Sequence, residues 1–323
     1  MKPRKSISLA MYEFKIKKDD NKRKYFEFDK IPQPNSQNEH YDLFNILKQI
    51  IKDLVDSGEL LKDKSEKSDS GKRIYLEKFE IKNRTIYGQV EHGHFGNEQI
   101  IKHVPTNSKK GVIGEDDGVF EPYYFLLVVP KKHQIGCLIL ERKGNIGIRN
   151  IFQDAILRGL VNYTEYAQYK ITLHRAVPKE LKEWFYEKGE LLNLKYYLAK
   201  VPEDYVDETK FVSGKVETTI KVDDKQPTTP KKFLERNKDN LLSFGGIEYE
   251  VMRVDSKYKG KIKSFTITNP DTLIPYLDVT DELKDSDLIK GNPKLGSIDN
   301  IAREHVKINF EKIWQAEGDN END

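Results

Sequence analysis

The sequence lacks three features that would assign a protein to a class at once: several cysteines, a long apolar run and a surplus of one charge. Its single cysteine, Cys137, has no second cysteine to pair with, so we expect a reducing environment. No apolar run approaches the ~20 residues that cross a bilayer, and the N-terminal stretch lacks the roughly 7–15 apolar residues of a signal peptide. These absences predict a cytoplasmic protein without membrane insertion.

The charges are numerous but balanced. Lysine and arginine number 55 and aspartate and glutamate 53, which gives a formal net charge of +2. Charged residues make up 33% of the chain and hydrophobic residues 37%, a composition that supports a core beneath a large solvated surface. A balanced net charge neither indicates nor excludes nucleic-acid binding, because that function depends on a local basic patch.

The central stretch, residues 122–160, contains the two most apolar short runs of the sequence. These runs, Tyr123–Val129 and Ile135–Leu140, are too short for helices and are rich in β-branched and aromatic residues. A polar break separates them, so they predict two adjacent strands of a buried β-hairpin. Apolar residues at helical spacing then predict a helix: Ile148, Ile151, Phe152, Ala155, Ile156 and Leu160.

The remaining elements predict an α+β fold. Apolar residues at three- and four-residue intervals predict a helix over 43–55, and similar spacing predicts a C-terminal helix over 295–308. Strand patterns occur without regular βαβ alternation, which favours a mixed, mostly antiparallel sheet with packed helices. From polar, proline-containing segments we expect a core domain over 1–205, a smaller α+β domain over 206–315 and an acidic disordered tail over 316–323.

One basic segment is suited to a phosphate backbone. Lysines stand at every second position in it: Lys257, Lys259, Lys261 and Lys263. On an extended chain they would project from one side at a spacing of ~6–7 Å, which suits phosphate contacts that do not depend on base sequence. A predicted short helix in the same domain carries three further basic residues: Lys231, Lys232 and Arg236. The alternative is a lysine-protected edge strand, which prevents aggregation and binds no ligand.

A second basic group surrounds the glycine-containing turn after the central hairpin. It consists of Arg142, Lys143 and Arg149. Free amides at the start of the following helix favour a bound anion, and a DNA phosphate is one such anion. The turn lacks the third glycine and the Gly-Lys-Ser/Thr run of nucleotide-binding loops, so it is otherwise a turn and a helix cap.

A metal-dependent nuclease is an alternative function. Glu141 and Lys143 stand two apart at the end of a buried strand, and Asp116 and Asp117 precede the hairpin. In restriction-type nucleases, carboxylates in such positions hold a magnesium ion and the lysine stabilises the developing charge. A Glu-x-Lys pair is frequent in a chain this rich in charge, however, so we assign no catalytic residue.

The histidines and the cysteine predict no cofactor. His92 and His94 share one side of a predicted strand near His103, but a metal site normally recruits three or four ligands. Cys137 lies in an apolar strand, where a thiol is usually inert. We therefore expect no metal, no cofactor and no nucleophilic catalysis.

Four segments carry a family resemblance. They are SISLAMYEF, the predicted helix YDLFNILKQIIKDL, the run EPYYFLLVVPKKHQIGCLILERKGNIGIRNIFQDAIL and the segment YKITLHRAVPKEL. In this order they resemble the RexA phage-exclusion protein and the KwaB-type and related bacterial anti-phage proteins. The resemblance covers about the first 200 residues and is one of pattern; it includes no short diagnostic motif.

The resemblance implies a cytoplasmic, bacterial antiviral defence protein of the abortive-infection type. It further implies a homodimer that binds DNA with little sequence preference and is not an enzyme. It transfers no residue roles, so the basic residues above are candidates from their own pattern. A third hypothesis is a protein-interaction module whose apolar C-terminal helix docks a partner defence protein or a second copy of the chain.

Overall fold

The structure is a computed structural model that describes most of the chain. It covers residues 5–18, 24–33, 39–62, 71–95, 98–103, 105–114, 117–144, 146–157, 168–177, 180–198, 216–222, 228–237, 242–244, 247–249, 251–267 and 276–318. Within these residues, no helix is both long enough and apolar enough to cross a membrane.

Strands dominate the described residues. In chain order they are β1 (Ile7–Lys18), β2 (Tyr25–Phe26), β3 (Ile31–Pro32), β4 (His40–Tyr41), β5 (Leu61–Lys62), β6 (Gly71–Lys82), β7 (Thr85–Phe95), β8 (Gln99–His103), β9 (Ser108–Ile113), β10 (Val119–Val128), β11 (Gly136–Lys143), β12 (Ile146–Gly147), β13 (Tyr169–Ala176), β14 (Glu190–Leu198), β15 (Val216–Lys221), β16 (Ser243–Phe244), β17 (Ile247–Glu248), β18 (Val251–Tyr258), β19 (Lys261–Ile267), β20 (Tyr276–Asp278), β21 (Leu288–Ile289) and β22 (Asn292–Pro293).

Helices of three kinds accompany these strands in the described part of the chain. The α-helices are α1 (Leu43–Ser57), α2 (Arg149–Phe152), α3 (Pro230–Arg236) and α4 (Leu295–Gly318). The segments Gln153–Leu157 and Glu180–Glu187 are π-helical, and Thr280–Glu282 and Asp285–Asp287 are turns of 3₁₀-helix.

Helix α1 forms where the apolar spacing predicts it. The side chain of Asp42 caps its N-terminus by accepting a hydrogen bond from the Phe44 amide at 2.9 Å. Gly58 ends the helix in the left-handed conformation, with φ of 61°, and its amide bonds the Val55 carbonyl. Arg84 makes a two-pronged ion pair with the Asp42 carboxylate at 2.7 and 2.8 Å, which ties the start of the helix to the β6–β7 turn.

The chain divides into two compact units. Unit 1 comprises residues 1–12, 141–147 and 175–311, and unit 2 comprises residues 13–140, 148–174 and 312–323. Strands β1, β11 and β13 each contribute residues to both units.

Unit 2 contains the expected central hairpin. Strands β10 and β11 pair antiparallel with Phe125 opposite Leu140, and β7, β6 and β5 follow in order on the far side of β10. Strand β11 is buried over most of its length and β10 over its second half, as an apolar run without alternation predicts. The helix after them is only partly as expected, because the α-helical turn Arg149–Phe152 continues as a π-helix; Leu160 lies outside the described residues.

Unit 1 is built on an antiparallel sheet in the order β15, β14, β18, β19, β20 and β1. One face is apolar and packs against Phe185 of the π-helical segment and Leu234 of α3. Because strand side chains alternate, the opposite face carries the intervening residues, which are polar. It holds Arg253, Asp255, Ser264, Thr266 and Asp278, all buried.

The α+β class is confirmed, with a large antiparallel sheet and a few packed helices. The expected division at residue 205 does not match the two units, because β14 pairs along its length with β15 across that position. The start of the expected tail also differs: residues 316–318 continue α4, and the rest lies outside the described residues.

Helix α4 is confirmed, and most of its apolar stripe is buried, although Ile308 is exposed. Ile298, Ala302 and Phe310 are almost fully buried within the chain. Trp314 donates its indole N–H to the Ile135 carbonyl at 2.9 Å within unit 2. The interaction-module hypothesis therefore stays a prediction, and most of the stripe on which it depends packs within the chain.

Candidate nucleic-acid interface

The lysine-rich segment forms the tip of the β18–β19 hairpin. Lys259 and Gly260 occupy the two turn positions, with φ of 48° and 78°, and Tyr258 pairs with Lys261 across the turn. Two consecutive residues of positive φ are typical of the tight turn whose twist matches a hairpin, and glycine is favoured there. Strand β18 runs to Tyr258, so the lysine-rich segment includes the ends of both strands and the turn between them.

The expected ridge of lysines on one extended strand is wrong, because the chain reverses inside the segment. Lys257 pairs with Ile262 and Lys263 pairs with Ser256, so these two lysines project to opposite faces of the sheet. Lys259 lies in the turn itself, and the side chain of Lys261 is outside the described residues. The basic residues are gathered at a hairpin tip and form no ridge.

The hairpin lysines have different environments. Lys257 and Lys259 are exposed, and the Lys259 ammonium lies 5.5 Å from the centre of the Tyr258 ring. Lys263 is only half-exposed and donates to the Glu282 carboxylate at 2.9 Å. Lys263 is therefore already neutralised, and among the described side chains of the hairpin the accessible charge comes from Lys257 and Lys259.

Helix α3 carries the second part of this surface. Thr229 caps it, accepting from the Lys232 amide at 3.3 Å, and Pro230 occupies the first turn, where a missing N–H costs nothing. Lys232 and Arg236 are exposed, whereas the Lys231 ammonium lies 3.9 Å from Glu187.

The hairpin tip and α3 border the same π-helical segment of unit 1. Tyr258 packs edge-on against Phe185, with ring centres 6.4 Å apart, and Lys231 faces Glu187 on the same segment. Two acidic residues, Glu187 and Glu235, also lie here. Together with burial they raise the pKa of Tyr186. We call Lys257, Lys259, Lys232 and Arg236 the tip surface. Within it, Lys257 projects from the same face of the sheet as Arg253 and Asp255, which is opposite the face on which α3 packs.

The basic group at the glycine turn is not an open cluster. Lys143 is buried and donates from its ammonium to the side-chain carbonyl of Asn292. Arg142 is half-buried, and its guanidinium carbon lies 4.0 Å from the centre of the Tyr276 ring. Arg149 is exposed and belongs to unit 2, whereas the other two belong to unit 1.

Two residues that join Arg142 are not indicated by any sequence pattern. The guanidinium of Arg175, at the end of β13, lies 3.5 Å from the centre of the same Tyr276 ring. Burial lowers the pKa of Arg175, and the like charge of Arg142 lowers it further, while Tyr276 and Tyr12 oppose the shift. Two guanidinium groups from distant parts of the chain therefore share one aromatic ring.

The nuclease alternative finds little support in these residues. Glu141 and Lys143 are both buried in unit 1, whereas Asp117 is exposed in unit 2 and accepts from the Gly114 amide at 3.0 Å. Asp116 lies outside the described residues. In the described part of the chain, no group of three or more histidine, cysteine, aspartate or glutamate residues could hold a metal ion.

His92, His103 and Cys137 make packing contacts or hydrogen bonds within the protein. His92 is buried and packs edge-on against Tyr123 at 5.6 Å, and a ring nitrogen of His103 lies 2.8 Å from the Thr106 hydroxyl. Cys137 is fully buried, and burial raises the pKa of its thiol well above the ordinary value. The side chain of His94 is outside the described residues.

A further basic element appears in unit 2 as an exposed two-stranded ribbon, β8–β9. Lys102 and Lys109 stand directly opposite each other, and Lys110 is also exposed. Like charges in opposed positions destabilise a ribbon, and a bound anion relieves the repulsion. The sequence pattern indicates only a meander followed by a loop here, because the ribbon is exposed on both sides and shows no apolar alternation.

The polar face of unit 1 contains a buried ion-pair network centred on Arg253. Its guanidinium contacts Asp255 at 3.3 Å and Asp278 at 3.6 Å, and it also bonds Asp281 and the Ser264 hydroxyl. Burial alone lowers the pKa of Arg253, but the carboxylates outweigh it and the pKa is raised. The three carboxylates satisfy this arginine, so it is a structural group.

Comparison with known proteins adds no relative. A scan against models of protein families, a search of curated proteins and a search of solved structures each gave no match.

Proposed function

We propose that this protein binds duplex DNA through its phosphate backbone, with little preference for base sequence and without catalysing a reaction. The observation that carries the proposal is the tip surface, where exposed cations of a hairpin turn and of helix α3 border one segment of unit 1. An exposed hairpin tip and a short helix can both reach phosphates along a groove edge. Contacts of this kind position a protein on DNA and read no sequence.

The β8–β9 ribbon supports a second contact region. Two-stranded ribbons enter DNA grooves in several families of DNA-binding proteins. Contact with a phosphate would reduce the repulsion between the opposed residues Lys102 and Lys109, so this ribbon favours a bound anion. The ribbon belongs to unit 2, so its contribution can be measured independently of the tip surface.

Removing the tip lysines should weaken DNA binding and its dependence on salt. We expect the double variant Lys257→Ala, Lys259→Ala to bind a duplex of about 30 bp roughly tenfold more weakly than the wild type in ~50 mM salt. The slope of log K against log salt should fall by about 0.9 for each phosphate that the protein no longer neutralises. Fluorescence anisotropy over a salt series measures both quantities.

The matched control removes two lysines that lie elsewhere. Lys48→Ala, Lys52→Ala changes the same net charge on the exposed side of α1 and should leave the salt slope unaltered. Two duplexes of equal length and unrelated sequence should bind alike. Equal weakening in both double variants would show that net charge alone is responsible, and undetectable binding of the wild type at low salt would end the proposal.

The antiviral role and the homodimer are proposed on the family resemblance alone. We propose a bacterial, cytoplasmic defence protein of the abortive-infection type that acts as a dimer, with a partner defence protein as a further expectation. Light scattering tests the dimer, and a monomer across the working concentration range would reject it. A phage plating assay with the wild type and the tip-lysine variant links defence to DNA binding, because equal protection by both would separate the two.

A metal-dependent nuclease using Glu141 and Lys143 is the second candidate function. Its support is the spacing of these residues at the end of a buried strand. Plasmid cleavage in magnesium by the wild type and by Glu141→Ala decides the matter. Cleavage that disappears in the variant would favour this function, and no cleavage by the wild type would exclude it.

A further inference from the structure

We propose that Arg142, Arg175 and Tyr276 form a binding site for a single phosphoryl group in unit 1. The site does not rest on the DNA-binding proposal, since none of its residues belongs to the tip surface. All three residues lie in the same unit although they come from separate parts of the chain: the end of β11, the end of β13 and the start of β20.

The geometry brings two cations to one ring. The guanidinium carbons of Arg142 and Arg175 lie 4.0 and 3.5 Å from the centre of the Tyr276 ring. A guanidinium stacked on an aromatic face is held in one orientation, and a side-chain hydrogen bond with Tyr276 fixes Arg175 further. The ring therefore contacts both guanidinium groups and limits where each can lie.

The backbone around Arg142 is shaped to admit its guanidinium. A methyl group at Gly147 would lie 2.7 Å from the Arg142 Nη1 atom, so a larger residue at this position would displace the guanidinium. Gly147 pairs with Arg142 across the β11–β12 turn. The absence of a side chain at Gly147 thus leaves space for the Arg142 guanidinium. A helix cap alone would not require glycine at this position.

A buried hydroxyl lies on the same side of the sheet. Ser8 pairs with Asp278, and Tyr276 is two residues before Asp278, so Ser8 and Tyr276 project from the same face. The Ser8 hydroxyl oxygen is buried and makes no hydrogen bond to the described residues. Buried polar groups are normally satisfied, and a bound anion near this face would supply the acceptor.

The nearby carboxylate of Asp278 does not accept a hydrogen bond from the Ser8 hydroxyl. Asp278 shares the face with Ser8, but its oxygens accept from the Thr280 amide at 2.9 Å and from the Thr266 hydroxyl at 3.2 Å. Arg253 lies 3.6 Å from it. Burial raises the pKa of Asp278, whereas Arg253 and the hydrogen bonds from Thr280 and Thr266 lower it.

The chemistry favours a phosphoryl group over a carboxylate. Two guanidinium groups and one hydroxyl that come from different strands suit a group whose oxygens point in several directions, and the two oxygens of a carboxylate lie in one plane. A phosphate monoester or free phosphate has at least three terminal oxygens in a tetrahedral arrangement and carries close to two negative charges at neutral pH. Such a group occurs at the end of a nucleic acid and on small molecules.

Calorimetric titration with inorganic phosphate at fixed ionic strength tests the site. We expect saturable binding to the wild type, weakened about tenfold or more in Arg142→Gln and in Arg175→Gln. The tip-lysine double variant should bind phosphate as the wild type does, which separates this proposal from DNA binding. Wild-type protein that shows no saturable binding, or arginine variants that bind unchanged, would overturn the proposal.

A substitute variant and a competition experiment complete the test. If either arginine variant fails to melt cooperatively, the variant Ser8→Ala is tested in its place, because this substitution removes only a hydroxyl. Weaker phosphate binding by Ser8→Ala would support the site, and unchanged binding would reject it. Competition by a 5′-phosphorylated and a 5′-hydroxyl oligonucleotide then identifies the source. Stronger competition by the phosphorylated strand assigns the site to nucleic-acid ends, and equal competition assigns it to small phosphate compounds.

Discussion

Replacing Arg253 with methionine should lower the free energy of unfolding by about 3–5 kcal/mol, because it removes the cation that faces the buried Asp278 carboxylate and leaves Asp255 with Lys195 alone. Asp278 is 4% exposed and Asp255 7% exposed, so neither can recover its hydration when the guanidinium is removed. Chemical denaturation at neutral pH, monitored by circular dichroism, measures the decrease. Methionine retains much of the side-chain volume, so the effect reports mainly the charge.

Two comparisons separate burial from charge pairing. Asp281, another partner of Arg253, is 77% exposed on its side chain, and Asp281→Asn should cost less than about 1 kcal/mol. Lys78→Met removes the cation of an exposed ion pair with Glu77 and should also cost less than about 1 kcal/mol. Equal decreases in all three variants would mean that burial does not set the strength of this network.

The destabilisation in Arg253→Met should depend on pH. Burial raises the pKa of Asp278 and Arg253 lowers it, so the variant raises that pKa further. A carboxyl whose folded pKa is raised destabilises the folded state above its unfolded pKa and ceases to do so once it is protonated. The difference between wild type and variant should therefore narrow as the pH falls from neutral through the raised pKa of Asp278. A difference that is constant from neutral to acidic pH would contradict this account.

The sequence predicts elements whose signal is local. Helix α1 is visible from its apolar spacing and from Gly58 at its end, and the central hairpin is visible from two apolar runs with a polar break. The β18–β19 hairpin is harder to place, because its Lys-Gly turn lies inside a lysine repeat that suits an extended chain equally well. The glycine between the lysines is the signal that distinguishes the two, since a two-residue turn favours it.

The candidate phosphoryl site depends on information that no local pattern contains. Arg142, Arg175 and Tyr276 are brought together by strand pairing, and their separation along the chain hides the contact. The burial of Lys143 is equally hidden, because a charged residue that follows an apolar run is typical of a strand end. In the structure the strand stays buried through that residue, and Asn292 from a distant segment supplies its partner.

Truncating Phe14 to alanine should also lower the free energy of unfolding by about 3–5 kcal/mol. The side chain is fully buried and stacks on Phe28 with ring centres 5.2 Å apart. It also fills the space above Gly136, where an added methyl group would overlap the Phe14 ring. Removing the ring therefore opens a cavity beside the central hairpin that packed neighbours can close only in part.

The contact between Phe14 and Gly136 predicts that the effect of Gly136→Ala on the free energy of unfolding changes sign when Phe14 is replaced. In the wild type, Gly136→Ala should destabilise by about 1–3 kcal/mol, because the methyl group forces the ring from its place. In the Phe14→Ala background that methyl group enters the cavity, so the same substitution should be neutral or stabilising. Gly111→Ala, where the nearest atom lies 3.9 Å away, is the matched control and should have little effect in either background. Denaturation of the four proteins of the cycle gives the coupling energy, and additive effects would mean that ring and glycine are not in contact.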